Sequence, residues 1–141
     1  MAEFITRHFV PVRIHVKERL QDFARFNAVW TPTLSFCEAD GTERHRFVGF
    51  YPLDEFQAQL MLGVAKAAFG RRQFEEALHL FERLATDSPN TDAAPEAVYW
   101  AAASAYKVSG DGEYLEKGGL TLREKYPRSI WTTKATVWLP R

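Results

Sequence analysis

Shifting the chain by 38 positions lays Leu84, Pro89, Thr91, Ala97 and Trp100 onto Leu122, Pro127, Ser129, Ala135 and Trp138. A shift of 40 lays Gly70 and Phe74 onto Gly110 and Tyr114. Helix, glycine turn, helix, proline stop, repeated at this period, defines a helical-hairpin array. One hairpin cannot bury its apolar face alone, so the copies must stack. The pattern predicts a helix from Asp54 to a stop at Gly70, with Asp54 as N-cap after Pro52. It predicts a second from Gln73 to about Asp87, with Phe74, Ala77, Leu78, Phe81 and Leu84 spaced by three or four residues and Pro89 beyond. A third spans about Ala93 to Ser109 and stops at Gly110-Asp111-Gly112; a fourth spans Glu113 to Tyr126 and stops at Pro127. Ser129 caps a last short helix ending near Trp138. Gly118 and Gly119 fall inside the fourth helix, where each costs about 1 kcal/mol relative to alanine, so that copy is expected to be loose or distorted there.

The first third has a different pattern. Ala2 to His8 reads as the end of a helix with Phe4, Ile5 and Phe9 on its apolar side. Val10, Val12, Ile14 and Val16 alternate, and period 2 with β-branched residues predicts a strand. Glu18 to Asn27 reads as a short helix. Thr33 to Glu38 and Glu43 to Phe50 read as two strands joined by a turn at Asp40-Gly41.

Charge and composition then remove whole classes of function. Lys plus Arg number 18 and Asp plus Glu number 18, so no net charge draws the chain to nucleic acid or an anionic membrane. No stretch approaches the roughly 20 apolar residues of a membrane span, and Met1 to Arg7 lacks the layout of a signal peptide. A cytoplasmic protein is the expectation. The single cysteine, Cys37, excludes an internal disulfide, a Cys-x-x-Cys pair and a multi-cysteine zinc site.

The repeated part, about residues 55 to 139, resembles the tetratricopeptide repeat family. Ala65, Ala77, Phe81 and Pro89 match its small, aromatic and proline positions in the first copy, and Ala103, Tyr106 and Pro127 match in the second. Leu115 and Gly119 depart from the pattern in the second copy. The first part resembles the C-terminal half of a thioredoxin-like domain. Trp30-Thr31-Pro32-Thr33-Leu34, a strand, Asp40-Gly41 and a second strand ending in Gly49 carry that resemblance. It implies a cis Pro32, and a Thr31 whose backbone contacts an extended peptide beside Trp30. The fold class is therefore α+β: a truncated thioredoxin-like β-α-β-β-α unit followed by an all-α tetratricopeptide-like helical hairpin array. The expected units are 1–53 and 54–141, with helix 54–69 shared by both.

The resemblance also implies a central strand between the one like Val10–Val16 and the one like Thr33–Glu38. The chain contains no match to it. The remaining strands must then pair directly, recruit a strand from another chain, or stay exposed, and exposed edges promote association. The expectation is a rearranged sheet within a homodimer. A second explanation is that Met1 is not the native start and that a Cys-x-x-Cys lies upstream.

The chemical side chains read mainly as structural. Cys37 is expected to be buried and inert, with Glu38 working against thiolate formation. His8, His15, His45 and His79 have no metal-ligand spacing, and His15 is expected to be exposed. Arg44-His45-Arg46 and Arg71-Arg72 are expected to be solvated faces. Tyr99, Trp100, Tyr106, Trp131 and Trp138 fall mainly on interhelical positions, with core packing weighed against a partner groove lined by Tyr99, Trp100 and Tyr106. No catalytic residue, metal ligand or cofactor is assigned. The functional expectation is a non-enzymatic interaction or scaffold module, chaperone-like or assembly-related, that binds a peptide or protein through Trp30, Thr31 and Pro32. The alternative is part of a thiol-disulfide oxidoreductase with its cysteines upstream of Met1; the 141-residue chain alone has no second thiol for a relay.

Overall fold

A computed structural model of the chain describes residues 1–140. Its elements are α1 (Ala2–His8), α2 (Leu20–Arg25), β1 (Thr33–Cys37), β2 (Glu43–Val48), α3 (Leu53–Gly70), α4 (Phe74–Asp87), α5 (Ala93–Ser109), α6 (Glu113–Lys125) and α7 (Ile130–Ala135), with a 3-10 turn at Thr136–Trp138. The α+β class holds: a small sheet, then helices.

β1 and β2 form an antiparallel pair, with Thr33 opposite Val48 and Phe36 opposite His45, and a register shift after Phe36. The turn forms where Asp40-Gly41 predicts it. Asp40 Oδ1 accepts the Thr42 N–H at 2.9 Å, and that bond holds the exposed carboxyl below its ordinary pKa. One face of the hairpin lies on α3: Phe36, Phe47 and Leu60 form a buried cluster that Phe4, Ile5, Phe9, Tyr51 and Phe56 complete. Phe9 meets Phe36 edge-on at 5.4 Å, so the apolar side of α1 is anchored by this cluster.

The Val10–Val16 strand does not form. Among the described residues the sheet has two strands, and Val10 and Val12 are 91% and 74% exposed. Alternation supplies a face, but a strand exists only through bonds to a neighbour, and Pro11 has no N–H to offer. Within the chain, the side of β1 away from β2 pairs with no strand of the described residues. The bond from Gly49 N–H to the Pro32 carbonyl, 2.8 Å, fixes the ladder phase. Leu34 and Phe36 then turn their N–H and C=O toward β2, while Thr33, Ser35 and Cys37 turn theirs outward.

α3 serves both parts. Leu60 and Phe56 pack under the sheet, while Ala58, Leu62, Ala65 and Ala68 join Ala77, Phe81, Leu84, Ala93 and Ala97 in the helical core. Successive helices pack on one another; α3 also touches α5, and α5 touches α7, so the odd-numbered helices share one side of the array. Tyr126 Oη donates to the Pro89 carbonyl at 2.9 Å, tying one proline stop to the next. Ser129 caps α7 as expected, accepting the Trp131 N–H at 3.2 Å.

Two expectations about helix α3 and helix α6 are corrected. α3 begins at Leu53 with Pro52 as N-cap, and Asp54 makes no capping bond. Asp54 and Glu55 instead lie in the first turn, where negative charge suits the helix dipole. α6 is continuous through Gly118 and Gly119, and both are buried. A Cβ on Gly118 would sit 2.4 Å from the Ala102 Cβ. The glycine is what lets α6 lie against α5, and close packing outweighs its low helix propensity.

Candidate functional site

The site expected at Trp30, Thr31 and Pro32 lies at the end of the hairpin where β1 begins and β2 finishes. The Thr31–Pro32 peptide bond is cis. The loop is fixed on its downstream side by two bonds: Gly49 N–H to the Pro32 carbonyl, and Thr33 Oγ1 to the Trp30 carbonyl at 2.6 Å. Thr31 is exposed, and neither its N–H nor its C=O has a protein partner among the described residues. Around it stand exposed apolar side chains. Trp30 is 68% and Phe50 91% exposed, and Val29 and Val48, the latter opposite Thr33 in the ladder, are exposed as well. An open main-chain donor and acceptor beside apolar side chains can receive an extended strand, as in β-augmentation.

The second expected set is only partly gathered. Tyr99 and Trp100 are half-buried and belong to a packed aromatic cluster. Tyr99 stacks on Trp138 at 4.3 Å, and Trp100 meets Phe69 edge-on at 5.0 Å. Trp100 Nε1 donates to Glu96 Oε1 at 3.2 Å, and the ring forms one wall of a cleft of about 200 Å³ with Arg44, Lys66 and Phe69. Tyr106 is exposed toward the end of α5 and has no part in the cluster.

Two expectations about single residues fail. Cys37 is exposed, not buried, and lines a cleft of about 280 Å³ with Arg7, His8 and Phe9. Phe36 faces the core, so by strand alternation its neighbour must face away. Arg44-His45-Arg46 is not a solvated face. Arg44 pairs with Glu38, Arg46 pairs with Glu43, and His45 is buried. Arg71 also reaches Glu38, at 3.2 Å. His15 is exposed as expected.

His45 is the centre of a polar chain that the sequence alone did not disclose. Its Nε2 lies 2.7 Å from Gln59 Oε1, and Gln59 Nε2 donates to Glu55 Oε1 at 2.8 Å. The Glu55 carboxylate accepts the N–H groups of Asp92 and Ala93 at the start of α5. On the other side of the ring, Lys66 Nζ lies 3.4 Å from Nδ1 and donates to Glu96 Oε1 at 2.8 Å. An ammonium can only donate, so Nδ1 accepts and the imidazole proton is assigned to Nε2. The chain joins β2, α3 and α5 and leaves no buried side-chain nitrogen or oxygen unpaired among the described residues.

Burial pushes the His45 pKa below its ordinary value of 6.5; Lys66 adds to this, and the Gln59 bond opposes it. The unfolded chain therefore takes up the proton first as pH falls. Stability should be flat above about pH 6.5 and decline below it, and His45→Gln should flatten the part of the decline above about pH 5. Melting temperature measured from pH 8 to 5 for both proteins checks this.

Residues 1–62 match the family model of a thioredoxin-like domain. No curated protein and no solved structure matches the chain. The matched span takes in α1 to β2 and the first turns of α3, the part that carries the Trp30–Pro32 loop. That part is similar to a thioredoxin-like domain. Among the described residues there is no group of three or more His, Cys, Asp or Glu placed to hold a metal ion. No described helix is long and apolar enough to cross a membrane.

Proposed function

We propose that this chain is a protein-interaction module whose thioredoxin-like hairpin receives an extended, apolar segment of a partner at Trp30, Thr31 and Pro32. The observation that carries the reading is the unpaired main chain of Thr31 set among exposed Val29, Trp30, Val48 and Phe50. The helical part serves as the scaffold. Its tetratricopeptide-like character rests on Ala65, Ala77 and Phe81, fully buried where paired helices meet. In this reading the units are 1–53 and 54–141 with helix 54–69 in common, Tyr99, Trp100 and Tyr106 form a secondary partner surface, and the setting is cytoplasmic. The outward edge of β1 also suits pairing with a second copy, which makes the homodimer part of the same reading.

The test uses a fluorescein-labelled peptide of sequence Lys-Val-Ser-Leu-Ser-Val-Ser-Leu-Lys, whose apolar side chains share one face when extended. Anisotropy should report saturable binding. Trp30→Ala should weaken it about 30-fold, the effect of a 2 kcal/mol aromatic hot spot. Equal binding by wild type and Trp30→Ala would overturn this location.

A second reading draws on the match of residues 1–62 to a thioredoxin-like domain. In it the chain is part of a longer thiol-disulfide oxidoreductase with a Cys-x-x-Cys before Met1. The intact mass of the native protein separates the two readings.

A further inference from the structure

The loop that carries Thr31 has little of its own to hold it. It leaves α2, a helix of six residues none of which is buried. At the end of that helix Asn27 adopts φ +50°, with Asn27 N–H bonded to Ala24 O and Ala28 N–H to Phe23 O, both at 3.0 Å. Such a terminus satisfies some helix carbonyls and leaves those of Phe26 and Asn27 facing outward. Both are met by one side chain from β2. Arg46 Nη1 donates to the Asn27 carbonyl at 3.0 Å, and Nη2 donates to the Phe26 carbonyl. The same guanidinium is held from behind by Glu43: Nε donates to Oε1 at 3.0 Å and Nη2 to Oε2 at 2.7 Å. Glu43 is in turn fixed by the Ser35 hydroxyl on β1. Three residues, Ala28 to Trp30, separate this anchor from Thr31.

Resting on the reading above, we propose that Arg46 is the positioning residue of the peptide-receiving loop: forked between Glu43 and the Phe26 and Asn27 carbonyls, it holds Trp30 and Thr31 in their receptive arrangement. It touches no partner itself. Its effect is to order the loop before binding, so that the partner does not have to. The fork is specific to arginine, because a guanidinium presents several donors in one plane, whereas an ammonium is a single point charge.

The experiment compares wild type with Arg46→Gln and Arg46→Lys. Amide hydrogen exchange of the free proteins is read first, then the anisotropy of the Val/Leu/Ser probe peptide. In both variants the amides of Asn27 and Ala28 should exchange about tenfold faster, while those of α4 to α6 keep their protection. Probe affinity should fall about tenfold. Protection of the α4–α6 amides shows that the array is still folded, so a local change is not confused with unfolding. Unchanged exchange at Asn27 and Ala28 in Arg46→Gln would overturn the proposal, as would faster exchange with unchanged affinity. Full rescue by lysine would overturn the fork and leave only a charge effect. If wild type fails to bind the probe, the functional reading falls, and the exchange data alone decide whether Arg46 orders the loop.

Discussion

Replacing Glu55 with alanine should lower stability by about 3 kcal/mol, read from urea unfolding followed by circular dichroism. Glu55 is buried, yet its carboxylate is fully used. Oε2 accepts the Asp92 N–H at 2.6 Å, and Oε1 accepts both the Ala93 N–H at 3.2 Å and the Gln59 amide. It caps α5 from another helix, and the positive end of that helix favours the charge. Alanine would leave two backbone donors and one side-chain donor unpaired, and an unmade buried bond costs about 1–3 kcal/mol. The loss would spread, because Gln59 also holds His45 and through it the sheet. Glu55→Gln keeps the shape and one acceptor oxygen, so it should cost distinctly less. A loss under about 1 kcal/mol in the alanine variant would mean that water replaces the carboxylate and that the polar chain does not tie sheet to array.

Gly63→Val should cost about 2–3 kcal/mol and act mainly on the hairpin. A Cβ at Gly63 would lie 2.4 Å from Phe36 Cδ1 and 2.7 Å from Cε1. The ring cannot swing clear, since Phe9, His45 and Phe47 surround it at centroid distances of 5.4, 5.3 and 6.0 Å. Overpacking of this kind costs about 1–3 kcal/mol, and the slightly better helix propensity of valine returns a few tenths. The hairpin amides should lose exchange protection while α4, α5 and α6 keep theirs. Equal loss of protection throughout would mean that sheet and array unfold as one and that the damage is not confined to their contact.

The helices from Phe74 onward were legible because each stop is chemically marked: Pro89 after α4, Gly110 after α5, Pro127 after α6 and Ser129 before α7. The hairpin turn was legible for the same reason, at Asp40-Gly41. The Val10–Val16 segment misled because period 2 reports a face and says nothing about whether a neighbouring strand exists. Cys37 misled although the signal was present: once Phe36 is placed inward, Cys37 must point out. Gly118 read as a weakness because propensity is local, whereas its use is a contact with Ala102. The loop at Trp30–Pro32 could be located by resemblance, but its support could not. Arg46 lies 19 residues from Asn27 in sequence, and no local pattern links a strand arginine to the end of a distant helix. The His45 chain was hidden likewise, since its partners Gln59, Lys66, Glu55 and Glu96 come together only after α3 docks on both the sheet and α5.

The most direct test of the interaction reading is a titration of ¹⁵N-labelled protein with the unlabelled probe peptide, followed by amide and indole chemical shifts. Concentration-dependent changes are expected at the Trp30 indole, at Thr31 and Thr33, and at Val48 to Phe50, with Tyr99, Trp100 and Tyr106 disturbed less. Changes confined to α5 and α7, or none at saturating peptide, would contradict that reading.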